Sequence, residues 1–381
     1  MPWEIPSSPW PGPKAWRATP APSWSAPAPA KRRMITVIRA KLDANESPID
    51  IPLAIKEKIL AAARDLPFNR YEGPHKEKLR ALIAAENGLS PDGVLLGNGS
   101  DELIQLLVLT FSGPGKPVVI PTPTFPMYQF VAKQVGSRII NFPLSPPRFS
   151  LDVEKLLAVL EGADPEALLF LCRPNNPTGS SIPAGEAEYI LQRARGPVVV
   201  DEAYAEYSGS SLAHLLPRYE NLIILRTFSK AFRLAGLRVG YLLAQPQIVR
   251  RLEETILPYN MSLFSLLGAW YLMQHKGELL APLGEIIAQR QRVAEGLAAL
   301  PGVTPLPSET NFIFFSLPEP AGPIWEELKR RGILVRYYPD IPELAQYLRV
   351  SIGTEEENTL FLSELAAILK ARSRKGCSPN R

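Results

Sequence analysis

The chain has 381 residues, with 42 Lys and Arg against 38 Asp and Glu, 46% hydrophobic and 21% charged residues, 40 Pro, three His and two Cys. This suits one large or two medium globular domains and excludes a fully disordered polymer, and no apolar stretch approaches the ~20 residues of a membrane-spanning helix. Cys172 and Cys377 cannot build a disulfide framework, which points to a reducing, cytoplasmic compartment, and the scattered His75, His214 and His275 argue against a His-rich metal site.

The formal charge of +4 is not spread along the chain. Residues 1–33 carry +4 together with nine prolines and four tryptophans, residues 34–370 carry −4, and residues 371–381 carry +4. The basic surplus that would suggest a nucleic-acid or membrane partner therefore belongs to the ends. The first 33 residues lack the apolar segment of a secretory signal, and their prolines forbid an amphipathic transit helix. A disordered Pro/Trp-rich extension is expected at 1–33 and a basic disordered tail at 371–381.

The folded body opens with ITVIRAKLDANESP. Apolar spacing predicts helices in PLAIKEKILAAAR (52–64) and HKEKLRALIAAENG (75–88), the second stopping at Gly88. VLLGNGSDELIQLLVLTF reads as a short buried strand, a glycine-bearing turn and a helix beginning near Asp101. Short apolar runs follow at 117–123, 137–143, 167–174, 197–204, 221–230 and 238–244, most of them separated by helical patterns such as VEKLLAVLEG and EAEYILQRAR. Buried strands alternating with helices predict an α/β fold whose mostly parallel sheet is covered on both faces. From about residue 285 the texture changes to a helix in IIAQRQRVAEGLAAL, strands around NFIFFSL, LVRYYP and YLRVSIG, and a last helix in NTLFLSELAAILK, an α+β second domain.

In a parallel α/β sheet, functional side chains gather at the C-terminal ends of the strands. Ser229 and Lys230 follow the buried run NLIILRTF, and Lys230 is either a solvated loop charge or an amine held in a pocket, where desolvation lowers its pKa and permits Schiff-base chemistry. Arg238, eight residues on, is a natural phosphate partner. Asp201 ends the run PVVVD, with Tyr204 close behind; it is either a helix N-cap or a carboxylate that pairs with a protonated pyridine nitrogen. RPNNPTG is a rigid polar turn, or a means of presenting an Asn to a phenolate oxygen. GNGSDE opens a helix whose first N–H groups, at Ser100 and Asp101, form an anion site. Phe125 is either a core aromatic or a face for a planar cofactor.

The order GNGSDE, PTPTF, RPNNPTG, DEAY, SKAFRLAGLR and a late arginine in YLRVSIG resembles the fold-type I aminotransferases that use pyridoxal phosphate. KLDANESP, NRYEG, RTFSKAF, LAGLRVGY, LPYNMS, ETNFIFF and the pair ILVR and YLRVSIGT look, more narrowly, like the histidinol-phosphate aminotransferases, over about residues 38–370. The resemblance implies a large domain with a mostly parallel seven-stranded sheet flanked by helices, plus a smaller α+β domain. The corresponding boundaries are an N-terminal arm and part of the small domain at 34–70, the large cofactor-binding domain at 71–268 and the C-terminal small domain at 269–370. It also implies reversible amino transfer between L-histidinol phosphate and 2-oxoglutarate, giving imidazole acetol phosphate and L-glutamate, in histidine biosynthesis.

By the same resemblance, Lys230 forms the covalent link to pyridoxal 5'-phosphate and moves the substrate proton. Asp201 pairs with the pyridinium nitrogen, and Asn176 and Tyr204 bond the ring oxygen. Phe125 stacks on the ring, and Ser100, Asp101, Ser229 and Arg238 hold the phosphate. Tyr71 reaches the cofactor phosphate of a neighbouring subunit, so a homodimer with shared sites is implied. Arg336 and Arg349 match the residues that accept both anionic substrates, and Asn45 closes over the substrate. Two departures stand out: Glu72-Gly73 replaces the family's Pro-Asp, and Arg173 precedes PNNPTG where the family has a small residue. That extra cation either widens anion tolerance or faces away. An aromatic aminotransferase or a threonine-phosphate decarboxylase on the same scaffold is the nearest rival; a non-catalytic cofactor-binding regulator contacting nucleic acid through the basic ends is a rival of another class.

Overall fold

The computed structural model describes residues 37–71, 73–164 and 166–376. The extension expected at 1–33, Glu72 and residues 377–381 of the expected tail lie outside them.

Each apolar run of the body becomes a strand. The larger sheet comprises β2 (Val94–Gly97), β3 (Pro117–Thr122), β4 (Arg138–Pro143), β5 (Leu168–Cys172), β6 (Val198–Asp201), β7 (Leu222–Thr227) and β8 (Gly240–Ala244), in the order β2-β8-β7-β6-β5-β3-β4. Its neighbours from β7 to β4 pair parallel, and β8 runs antiparallel to both β7 and β2. Strands of this kind are apolar on both sides because helices cover both faces. In β6, Val198 and Val200 enter one core while Val199 enters the other, the period of two expected of a strand. The first core is closed by α1 (Leu53–Ala63), α2 (His75–Glu86), α5 (Val153–Ala163), α6 (Ala184–Arg193) and α9 (Leu263–Gln274). The second is closed by α3 (Gly99–Phe111), α4 (Met127–Val135) and α8 (Pro246–Glu253). The C-terminal ends of β5, β6 and β7 lie level, with Cys172 opposite Asp201 and Asp201 opposite Leu225.

A smaller mixed sheet comprises β1 (Ala40–Leu42), β9 (Thr304–Pro305), β10 (Phe312–Ser316), β11 (Ile333–Tyr337) and β12 (Tyr347–Ser351), ordered β1-β11-β12-β10-β9. One face packs Ile333, Val335, Leu348 and Val350 against α11 (Leu283–Ala298), α12 (Ala321–Arg330) and α13 (Glu355–Gly376). Tyr204 and Tyr207, on either side of the start of the short α7 (Ala205–Ser208), join the same core and tie it to the end of β6. The remaining helix, α10 (Lys276–Leu280), follows α9 directly.

Among the described residues of the segment 34–70, β1 joins the small sheet, and α1 turns Ile55, Ile59 and Ala63 into the core of the large one. One boundary differs from expectation. The disordered tail expected from 371 does not begin there, because α13 continues to Gly376. Arg372 donates two hydrogen bonds of 2.6 Å to Glu319, so a charge read as free tail is fastened by an acid 53 positions earlier.

Candidate active site

A cavity of about 300 Å³ opens between the strand ends of the large sheet and the polar face of the small one. Every residue expected at the site except Tyr71 lines it: Asn45, Ser100, Asp101, Phe125, Asn176, Asp201, Tyr204, Ser229, Lys230, Arg238, Arg336 and Arg349.

Lys230 lies three residues past β7, held between the buried Phe228 and the buried pair Ala231 and Phe232. Its Nζ donates to the carbonyl of Ala44 at 3.4 Å and sits 5.8 Å from the centre of the Tyr204 ring. Burial, reinforced by the neighbouring Arg349 and Arg238 charges, lowers its pKa to about 8. About a tenth of this amine is therefore neutral and nucleophilic at pH 7, far more than for an ordinary lysine, which favours carbonyl addition.

Asp201 ends β6 and is 3% exposed. Tyr128 of α4 donates its hydroxyl to Oδ2 at 2.6 Å, and the N–H of Ala203 donates to Oδ1 at 3.0 Å. Burial pushes the pKa up to about 6, those two hydrogen bonds hold it down, and Asp101 and Glu202 push it further up. The N-cap of α7 is Tyr204, so Asp201 is not spent on that helix. Among the described residues no cation pairs with this carboxylate, and a buried carboxylate of that kind is stabilised by a cationic ligand. Glu202, next in the chain, turns away into a satisfied buried cluster with Ser211, Leu212 and Arg226.

The other end of the cavity is built for an anion. Gly99 has φ +79°, and a Cβ there would lie 2.5 Å from Nη2 of Arg238; a Cβ on Gly240 would lie 2.4 Å from the backbone nitrogen of Ser100. The first turn of α3 is thus stripped to backbone where Arg238 approaches it. Arg238, itself at φ 51°, donates to Ser229 Oγ at 3.2 Å and to Asp101 Oδ2 at 3.0 Å. N–H groups at a helix start beside a guanidinium form a phosphate cradle. Together with the unpaired Asp201 and the depressed Lys230, this set fits the phosphate, ring nitrogen and aldehyde of pyridoxal phosphate.

On the small-sheet side, Arg349 of β12 is 6% exposed. Its Nη1 donates to Asn176 Oδ1 and its Nη2 to the carbonyl of Asp43, both at 2.6 Å, and its Nε is buried without a partner. Arg336 on β11 is its direct cross-strand neighbour, is exposed to the cavity, and lies with its guanidinium 5.9 Å from the ring centre of Tyr338.

Asn45 lines the cavity, yet its polar atoms are engaged within the protein. Its amide donates to the Tyr204 hydroxyl at 2.9 Å, while Oδ1 accepts from Ser351 Oγ at 3.1 Å. It therefore fixes the direction of the Tyr204 hydroxyl, leaving that proton free to point at a ring oxygen. Phe125 meets Tyr128 edge-on at 5.7 Å. Tyr71 is 74% exposed, stacks on Tyr259 at 4.4 Å, and lies outside the cavity of its own chain. Arg173 faces away: it is 4% exposed and donates to the carbonyl of Ile182 at 2.8 Å and to Ser210 Oγ at 3.0 Å.

Sequence reasoning missed Tyr128, Tyr338, Ser351 and the carbonyls of Asp43 and Ala44. Tyr128 carried a faint signal, three residues after Phe125; the carbonyls carried none.

Residues 38–365 match the aminotransferase class I and II family. The histidinol-phosphate aminotransferase of Desulfitobacterium hafniense (strain DSM 10664 / DCB-2) is 39% identical over 336 residues, 87% of this chain and 92% of that protein. That of Thermococcus gammatolerans is 39% identical over 335 residues, 88% and 93% of the two chains. The crystal structure of histidinol-phosphate aminotransferase from Sinorhizobium meliloti in complex with pyridoxal-5'-phosphate superposes with a TM-score of 0.80 at 29% identity, covering 88% of this chain and 92% of that one. An L-threonine-O-3-phosphate decarboxylase from Porphyromonas gingivalis, at 20% identity and a TM-score of 0.76 over 87% and 99% of the two chains, shares the fold alone. With the family matched over most of its length and a cavity suited to the cofactor, the chain belongs to the aminotransferase class I and II family of pyridoxal-phosphate-dependent enzymes.

Proposed function

We propose that the enzyme transfers an amino group between L-histidinol phosphate and 2-oxoglutarate, giving imidazole acetol phosphate and L-glutamate, in the cytoplasmic biosynthesis of histidine. The observation that carries the reading is the facing pair Arg336 and Arg349 on adjacent antiparallel strands. Like charges directly opposite on a sheet destabilise it. A ligand that brings its own negative charge removes that cost. Histidinol phosphate offers a phosphate and no carboxylate, whereas glutamate offers carboxylates, and guanidinium forks accept either oxyanion. The name shared by the relatives above supports the same substrate.

The residues divide the work as follows. Ser100 and Asp101 N–H groups, Ser229 and Arg238 bind the cofactor phosphate. Asp201, ionised above about pH 6, holds a proton on the pyridine nitrogen. When bound, pyridoxal phosphate supplies the electron sink for the bonding pair released at the substrate Cα. Lys230, with a pKa of about 8, would take the Cα proton as general base and deliver it as general acid to C4′ of the cofactor. Asn176 and Tyr204 orient the ring oxygen, Phe125 covers the ring, and Asn45 acts through Tyr204 rather than on the substrate. Exposed Tyr71 is assigned to the cofactor phosphate of a second copy, in a homodimer with shared sites. Among the described residues, no helix is long and apolar enough to cross a membrane.

The test is an assay of purified protein with histidinol phosphate and 2-oxoglutarate, set against phenylalanine, tyrosine and threonine phosphate as alternative substrates. Histidinol phosphate should give the highest kcat/KM. A tenfold or larger preference for an aromatic amino acid, or release of CO2 from threonine phosphate, overturns the reading.

A further inference from the structure

One wall of the cavity contains a donor with nothing to bond. Tyr338 follows β11 two residues after Arg336, and the strand's pleat turns both side chains into the cavity. The Tyr338 hydroxyl is buried and has no acceptor for its own proton among the described residues; Arg349, which can only donate, is the side chain near enough to act on its oxygen by hydrogen bonding. The ring itself is fixed, edge-on to Phe314 at 6.0 Å and 82°, with the Arg336 guanidinium 5.9 Å from its centre. Burial raises the hydroxyl's pKa against the opposing pull of the Arg349 and Arg336 charges and of hydrogen bonding from Arg349, so the group is a neutral O–H able to donate. A buried hydroxyl left without an acceptor is destabilising, and a ligand that supplies one recovers that loss.

We infer that Tyr338 donates its hydroxyl to the anionic group held between Arg336 and Arg349, and that it favours a phosphate monoester over a carboxylate. The inference rests on the substrate reading above. A carboxylate has two oxygens in one plane, which the two guanidinium forks can occupy between them. A phosphate monoester has three terminal oxygens on a tetrahedron, so it offers a third donor an oxygen that the two forks leave free. Tyr338 therefore acts as a selector between the two substrates that share the site.

The experiment compares cofactor-loaded wild type with Tyr338→Phe, which keeps the ring and its contact with Phe314. The KM for histidinol phosphate should rise about tenfold, as for loss of a hydrogen bond to a charged group, while that for glutamate moves by less than about twofold. Inorganic phosphate, used as a competitor of glutamate, should inhibit the variant about fivefold less well. Equal changes for both substrates, or unchanged values for histidinol phosphate and inorganic phosphate, overturn the inference. If wild-type enzyme fails to use histidinol phosphate at all, the substrate reading falls. Tyr338 is then judged by the phosphate inhibition constant alone: a rise in the variant supports its role as a phosphate donor, and no change rejects it.

Discussion

The two walls of the cavity are built on opposite terms. On the large-sheet side, polar groups are tied within the protein: Asp201 to Tyr128 and Ala203, Arg238 to Ser229 and Asp101, Lys230 to Ala44. On the small-sheet side, Arg336 makes no hydrogen bond or ion pair among the described residues, the Tyr338 hydroxyl has no acceptor there for its proton, and Arg349, though tied through both Nη atoms, keeps a buried Nε without an acceptor. A group that stays bound through the catalytic cycle is best met by a preorganised wall. Ligands that alternate and leave are met by donors kept open, at some cost in stability. The difference supports assigning the cofactor to the tied side and the exchanging substrates to the open one.

The most severe way to break the contrast is on the tied side. Lys230→Ala should abolish the lysine-dependent visible absorption of the loaded enzyme and cut turnover on the order of 10³-fold or more, because both the covalent anchor and the proton carrier are lost. Next come the open donors. Arg349→Gln should raise KM for both substrates about 100-fold, since it also releases Asn176 and the Asp43 carbonyl. Arg336→Gln, at an exposed and adaptable position, should cost about tenfold. If Arg336 proved the costlier of the two, the buried arginine would be structural and the contrast would need redrawing.

A pH measurement sharpens the tied side further. Lys230 is depressed to about 8, so its neutral fraction grows as pH rises toward that value. The rate at which cofactor-free protein takes up pyridoxal phosphate covalently should rise about fivefold from pH 7 to 8 and level off above pH 9. A flat profile would mean that the amine is not the titrating nucleophile. The smallest expected effect belongs to Tyr128→Phe. Asp201 faces Tyr128 on α4, Cys172 on β5, Asp101 on α3 and Glu202 beside it, and the Tyr128 hydroxyl is the largest influence holding its pKa down. Without it, protonation should extend to higher pH, weakening cofactor binding a few-fold at pH 6.5 and hardly at pH 8.5, as read from the dissociation constant.

Much of the tied wall was legible from the sequence because Asp201, Lys230 and Asn176 sit at or just after the ends of apolar runs. A strand end is recognisable from composition, and Asp201, Lys230 and Asn176 follow such ends at fixed short distances. The open wall was legible only in its arginines. In ILVRYYP, which of the two tyrosines shares a face with Arg336 depends on where the strand stops, and only the register of β11 settles that Tyr338 does. Tyr128 reads as one more core aromatic, since nothing local shows that its hydroxyl will meet a carboxylate 73 residues on. Arg173 was ambiguous for a related reason: its acceptors, Ile182 O and Ser210 Oγ, lie in loops whose approach to the RPNNPTG turn is a matter of tertiary packing. The helical continuation through 376 was hidden because a run of basic residues looks alike whether solvated or paired across to Glu319.

The register of β11 against β12 also acts as a ruler for specificity. Ile333 and Val335 are seated in the small-domain core, and Leu348 and Val350 are seated beside them, so the pleat leaves Arg336 and Arg349 no choice but to meet on the other face. A slip of one residue would carry every side chain of the strand to the opposite surface. Aliphatic residues of the core thereby set the spacing between the two charges proposed to anchor the substrate. An enzyme of this design can be retuned from within its core, by repacking Ile333 or Val335, without altering any residue that the substrate meets.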